Sequence, residues 1–374
     1  KEAITPVFEG DLLGANGTTL GADNGIGVAM CLAILQNKKL CHPPLQILLT
    51  VDEETGLIGI RNADLSVIKS RRMINLDAGS SHEICVSSVG MKMLSFEKTF
   101  DCQPKAGLTQ LQLHLFGGLG GHAGIESHKN RACCINVMGE LLFMLSREMP
   151  VYLAEIKTEG PSIHGACEAW VSVPAGQAAE TLLQTLFRGI NGRYQKSDPD
   201  LQFTVAVLEE EKPVLSVEDS ANIIRTMFFL HTGVRKSDEE NLRKIIISIT
   251  YSKISLRQGE FKAAYSIRSL DESLRDLWYY RTEELLRMLG FQATTIHQFT
   301  AWPGGGNQVM QDRFVRAHKQ LFGKDIQILH LHASIEANVV IGQIPEMDAV
   351  GIQPTAVDFH TPSEALLIDQ VQPF

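Results

Sequence analysis

Residues 17–35 read GTTLGADNGIGVAMCLAIL. The stretch opens on Gly and Asp and then runs apolar from Ile26 to Leu35. That pattern predicts a buried helix with Asp23 and Asn24 at its start, where an acidic side chain suits the positive end of the helix dipole. Outward from it, PPLQILLTV (43–51) is a short continuous apolar run after a Pro-Pro break, which predicts a buried strand. RRMINLD (71–77) predicts a second such strand. Buried strands alternating with helices imply a mainly parallel sheet and an α/β fold.

From about Met91 the texture changes. KMLSFEKTF (92–100), TQLQLHLFG (109–117) and EAWVSVP (168–174) alternate polar and apolar residues, as do IIISITYSKISL (245–256) and FKAAYSIRSL (261–270). Half-buried antiparallel strands read this way. AAETLLQTLFRGI (178–190) and DESLRDLWYYRTEELLRMLG (271–290) carry apolar residues at helical spacing, with Gly290 as a stop signal. DRFVRAHKQLFG (312–323) and VDFHTPSEALLIDQ (357–370) return to helix and loop signals. The simplest architecture is an α/β domain, residues 1–90 and 300–374, interrupted by an inserted α+β domain over 91–299.

Composition bounds the function. At ~150 residues per domain, 374 residues suit two domains. With 44% apolar and 21% charged residues the chain is an ordinary globular one. A net charge of -9 argues against general nucleic-acid binding, which needs a basic face. No apolar run reaches the ~18 residues of a membrane span. The cysteines are Cys31, Cys41, Cys85, Cys102, Cys133, Cys134 and Cys167, with no C-x-x-C pair. They read as reduced, buried or half-buried thiols of a cytoplasmic protein rather than a disulfide or zinc-finger framework. The first residue is Lys1, from which the reading expects a start inside a longer protein.

Four features carry chemistry. Asp52-Glu53-Glu54 follows the apolar run 43–51, and Asp77 ends MINLD. In open α/β sheets, ligands bind outside the carboxyl ends of strands. Asp23 stands at the helix start, and His360 arrives in DFHTPSEA, read as a loop followed by a helix start. Taken singly these are a solvated acidic turn, a helix cap and a polar histidine. Together they place carboxylates and an imidazole on one rim, a ligand set suited to zinc and similar divalent ions. Of two adjacent Glu residues, one can bind a metal while the other stays free as a general base. This is the grammar of a hydrolase.

GTTLGADNGIGVAMCLAIL, HPPLQILLTVDEETGLIG, NLDAG, GGHAG, HASIEAN and DFHTPSEA together resemble the co-catalytic zinc peptidase superfamily. The closest resemblance is to its PepD-type aminoacyl-histidine dipeptidases. The resemblance implies a zinc-peptidase-like catalytic domain with an inserted lid, acting as a cytoplasmic metallo-dipeptidase of Xaa-His or broader specificity. It implies two divalent metal ions, zinc first, with manganese or cobalt also suited to such ligands. Asp23 would bridge the two metals, Glu54 and Asp77 would be terminal ligands, His360 would be an imidazole ligand, and Glu53 would be the general base. His122 of GGHAG would touch substrate or the developing oxyanion. Asp52 is not a ligand in the family and reads as a structural acid.

The chain also departs from the pattern. The family's further His-x-Asp motif has no counterpart before Asp23, and QVQPF (370–374) stops where relatives continue. The reading therefore expects an incomplete N-terminal part, one metal short of an imidazole, and weak or absent activity, and two tightly held zinc ions would contradict it. Leu119 replaces a basic residue before GGH, and SIHGACEA (162–169), WPGGG (302–306) and HASIEAN (332–338) differ from the family's pocket-shaping stretches. His164, Arg268, His332 and Glu336 are substrate-contact candidates, Arg268 because a guanidinium suits a dipeptide's free carboxylate. The implied partners are a small peptide substrate and a second copy in a homodimer, with no nucleic acid and no membrane. The alternatives are an amidohydrolase on N-acyl amino acids with the same metal site, and a degenerate member that only binds peptides.

Overall fold

The computed structural model describes residues 3–160, 162–209, 212–305 and 308–371. Lys1, Gly306 and residues 372–374, on which parts of the sequence reading fall, lie outside them. The chain divides into two compact units, Lys1–Val89 with Phe299–Phe374, and Gly90–Gln298.

The first unit is built on a four-stranded mixed sheet. Strand Glu83–Ser88 pairs in parallel with Gln327–Leu331 and antiparallel with Asp348–Gly351, which pairs in parallel with Arg72–Asn75. Ile84 and Val86 pack with Met310, Ile326, Val350 and Ile352, beside the helix Val309–Phe322. Cys85 packs with Ala78, Trp302, Ile335 and Ala337. Apolar packing on both faces of this strand accounts for its unbroken Ile84-Cys85-Val86 run. Gly351 is glycine for a reason of space: a Cβ there would stand 2.9 Å from that of Ala78 and 3.0 Å from that of Cys85. A second small sheet joins Pro6–Glu9, Leu12–Ala15, Ala365–Leu367 and Ala356–Val357, each antiparallel to the next.

The second unit carries a nine-stranded sheet with the helices Cys134–Glu148, Ala179–Asn191, Val217–Phe229 and Glu272–Met288. Its strands include Gly90–Thr99, Leu108–Phe116, Ala166–Pro174, Ile245–Arg257 and Glu260–Ser269, where alternation predicted them. Leu111, Leu113 and Leu115 face the core in alternation with polar neighbours. Thr226 and Tyr251 share a 3.0 Å hydroxyl hydrogen bond inside this core.

Three sequence expectations fail in the first unit. PPLQILLTV forms no strand, and Leu45, Leu48, Leu49 and Val51 are exposed. A run apolar on both faces needs strands beside it and layers above and below, and no described residues supply them. Instead the Gln46 side chain makes the local bonds, its Oε1 accepting from Lys69 N at 2.8 Å and Ser70 N at 3.1 Å. The helix Ala22–Gln36 forms, but only Ala22 and Gly27 are buried, for the same want of a partner. SEALL does not start a helix: Ala365–Leu367 is a strand, because Leu366 pairs with Leu13. In addition, Cys41 is exposed, whereas Cys85, Cys133, Cys134 and Cys167 are buried.

Candidate metal centre

Each side chain of the centre, all in the first unit, is delivered by a turn at the end of an element. Asp23 sits at the start of the helix Ala22–Gln36, where it and Asn24 have non-helical backbone angles. Glu53 and Glu54 lie in the turn after residues 43–51, closed by Leu57 N donating to Glu53 O at 2.8 Å and Gly59 N to Val51 O at 3.0 Å. Asp77 stands two residues beyond the strand Arg72–Asn75. His360 lies in the loop between Ala356–Val357 and Ala365–Leu367, with a φ of 61°. A left-handed histidine is uncommon, and such outliers gather at functional sites.

Asp23, Glu54 and His360 each present one ligand atom, and the three atoms lie within 4.8 Å of one another. His360 Nε2 is 3.1 Å from Asp23 Oδ2 and 2.9 Å from Glu54 Oε1. Burial pulls the imidazole down, but Glu54 and Asp23 outweigh it and hold its pKa above the usual histidine value. Asp77 is pushed up to about 8, first by burial, then by the charge of Asp23 and a side-chain hydrogen bond to it. Glu53, half-buried, is pushed up to about 7 by burial and then by Glu54, Asp23 and Glu336, with His360 opposing.

Carboxylates so crowded hold protons where a dication would neutralise them instead. Oxygen donors with one imidazole nitrogen are the ligand chemistry of zinc and its neighbours. The residues present therefore fit a divalent metal: Asp23, Glu54 and His360 as one set, with Asp77 hydrogen-bonded to Asp23 beside it. Glu53 is placed next to the set, and a carboxyl near 7 suits a general base.

The remaining sequence candidates fall in separate places. Glu336 opens the helix Glu336–Gln343 and accepts from the Thr50 hydroxyl, and its charge acts on Glu53 and Asp77. His332 is buried just past the strand Gln327–Leu331. Asp52 is exposed, with a φ of 55°.

In the second unit, His122 is exposed and its Nδ1 accepts from Ile125 N at 3.2 Å. A neutral ring bonded in this way carries its proton on Nε2. His164 is buried with Nε2 at 2.8 Å from Ser252 O and Nδ1 at 3.2 Å from Glu159 O, so both ring nitrogens face backbone carbonyls. Arg268 donates to Ser266 Oγ at 2.8 Å, and burial lowers its guanidinium to about 10.

Asp198 and Glu364 are among the buried carboxylates that escaped the sequence reading. Asp198 accepts from Leu119 N at 2.9 Å and Ala132 N at 2.7 Å, tying together the two sides of the loop 119–132 that contains GGHAG. Glu364 does the same for the turn that carries Asp23. Glu364 lies inside DFHTPSEA, so its place beside His360 was the one available signal.

No family model matches the chain. The cytosol non-specific dipeptidase of Escherichia coli (strain K12) is 26% identical over 376 residues, covering 99% of this chain and 78% of that protein. The crystal structure of aminoacylhistidine dipeptidase from Vibrio alginolyticus superposes with a TM-score of 0.86 at 26% identity, over 100% of this chain and 77% of that one. An M20 family metallo-carboxypeptidase from Sulfolobus solfataricus shares the fold, with a TM-score of 0.50 at 11% identity over 98% of this chain and 76% of that one. By sequence and by fold over essentially its whole length, the chain is similar to these two dipeptidases, in line with the resemblance its motifs carry.

Proposed function

We propose that this chain is a metal-dependent hydrolase that cleaves dipeptides, of Xaa-His type or more broadly. The observation that carries the proposal is the meeting of Asp23, Glu54 and His360 within 4.8 Å, with Glu53 next in sequence to Glu54. The similarity to named dipeptidases over 99% of the chain supports the substrate class. Asp23, Glu54 and His360 would hold one divalent ion, and Asp23 with Asp77 a second. Zinc is the first choice, and manganese or cobalt suits the same donors. A divalent ion held there supplies Lewis acidity, which lowers the pKa of water and polarises a carbonyl.

The chain's own residues then have defined tasks. A Glu53 carboxylate oxygen takes a proton from the attacking water as its oxygen bonds to the peptide carbon. As the carbon–nitrogen bond breaks, Glu53 gives that proton to the leaving amine. His122, with its proton on Nε2, has the donor an oxyanion needs. Arg268 remains charged at neutral pH and suits the free carboxylate of a dipeptide. His332 and Glu336 complete the set of substrate-contact candidates, and His164 drops out of it, being buried with both ring nitrogens at backbone carbonyls. Peptide turnover in the cytoplasm by a homodimer is the setting this reading adopts.

The test is a parallel assay of Xaa-His dipeptides and N-acyl amino acids with zinc supplied. Faster release from the dipeptides is expected. Preference for the N-acyl amino acids would replace the reading with an amidohydrolase, and binding of dipeptides with no hydrolysis of either would leave a peptide-binding protein.

A further inference from the structure

The loop that presents His360 has a second carboxylate at its far end. Strands Ala356–Val357 and Ala365–Leu367 pair antiparallel, with His360 between them and Glu364 next to the second. The second strand is held in turn by Leu12–Ala15 through Leu366–Leu13 and Leu367–Leu12. Glu364 is only 2% exposed. Its Oε2 accepts from Gly21 N at 2.9 Å and its Oε1 from Asp23 N at 3.0 Å. One carboxylate thus clamps both ends of the Gly21–Asp23 turn. A buried carboxylate is costly unless it is hydrogen-bonded, and amide-to-carboxylate bonds are among the strong ones.

The turn it clamps is otherwise closed by Gly25 N donating to Gly21 O at 3.0 Å, a bond that leaves the Gly21 and Asp23 amides to Glu364. Gly21 has a φ of 75° and no side chain, and Asp23 and Asn24 depart from helical angles. Yet Asp23 Oδ2 must sit 3.1 Å from an imidazole on a loop 337 residues away. Glu364, four residues from His360 and bonded to the backbone of Asp23, links the two loops directly.

We propose that Glu364 is a positioning residue of the metal centre, setting the Asp23 carboxylate against His360 through its two backbone amide bonds. The proposal rests on the reading of Asp23, Glu54 and His360 as metal ligands. Outer partners of this kind typically contribute about 10- to 100-fold to metal affinity. Glu364→Gln keeps the side-chain volume and one acceptor oxygen, but turns an NH2 group toward the other amide, donor against donor.

The test uses the full chain and two readouts. Hydrogen exchange on metal-free protein reports the clamp itself, and zinc competition with a chelating dye reports the affinity. For Glu364→Gln we expect at least about tenfold faster exchange over residues 20–24, and zinc binding weakened about 10- to 100-fold. Exchange in the strands Ile245–Arg257 and Glu260–Ser269 should be unchanged. Unaltered zinc affinity would overturn the proposal, as would unaltered exchange over residues 20–24. Accelerated exchange throughout the first unit would also overturn it, since Glu364 would then serve the fold as a whole. A wild-type chain that takes up no zinc would refute the metal reading separately, and the exchange comparison would still decide whether the clamp exists.

Discussion

His360 Nε2 lies 3.1 Å from Asp23 Oδ2 and 2.9 Å from Glu54 Oε1, although 337 residues separate His360 from Asp23. On the proposed function this meeting makes His360 a metal ligand. His360→Ala removes the imidazole and leaves the carboxylates in place. Zinc affinity should then fall by more than the ~10- to 100-fold typical of outer partners, measured by competition with a chelator.

On the proposed function, Glu53 has a separate role from its neighbour. Glu53→Gln keeps the shape and removes the base, so metal content should stay at the wild-type level. Under conditions where the wild type turns over Xaa-His dipeptides, kcat should drop by about 10²- to 10⁴-fold. A variant that hydrolyses at the wild-type rate would show that the base lies elsewhere.

Metal should also stabilise the fold. Asp23, Glu54 and His360 come from three distant segments, so an ion bound to all of them favours the folded state. At free zinc 100 times the dissociation constant, the gain is about 2.7 kcal/mol. Thermal unfolding should therefore shift up with zinc and return with a chelator, and the shift should vanish in His360→Ala.

If Arg268 and His122 act as proposed, substitutions at the two should separate binding from chemistry. Arg268→Lys keeps the charge but loses the planar fork, so KM for dipeptides should rise about tenfold with zinc content unchanged. His122→Ala should instead lower kcat, by about 10²-fold for loss of an oxyanion donor. Steady-state kinetics on both variants separates the two roles.

Asn338 gives a test of packing that is independent of catalysis. It is fully buried in HASIEAN, accepting from Ser88 Oγ at 2.6 Å and Ile335 N at 2.8 Å and donating to Thr300 O at 2.8 Å. Asn338→Ala leaves those groups unpaired, and each unsatisfied buried group costs about 1–3 kcal/mol. Chemical denaturation should show a loss of at least that size.

The parts of this protein legible in its sequence are those decided locally. Alternation marked the strands Leu108–Phe116 and Ala166–Pro174, because one face of each is buried and the period is two. Asp77 was legible because an apolar run ends just before it. Residues 43–51 and the helix Ala22–Gln36 were misread because their sequences report what could cover them, and burial needs the partner itself. Ala365–Leu367 looked helical because its partner strand, Leu12–Ala15, lies at the other end of the chain. Asp198 was invisible, and Glu364 was marked only by its place in DFHTPSEA, for a related reason. Each acts on backbone amides far away in sequence, and an amide leaves no mark in the residue alphabet.

The most direct test of the central claim is zinc content per chain by mass spectrometry after dialysis, for the wild type, Asp23→Ala and His360→Ala. The account expects at least one zinc retained by the wild type and its loss from both variants. A wild type without zinc, or equal zinc in all three, would contradict it.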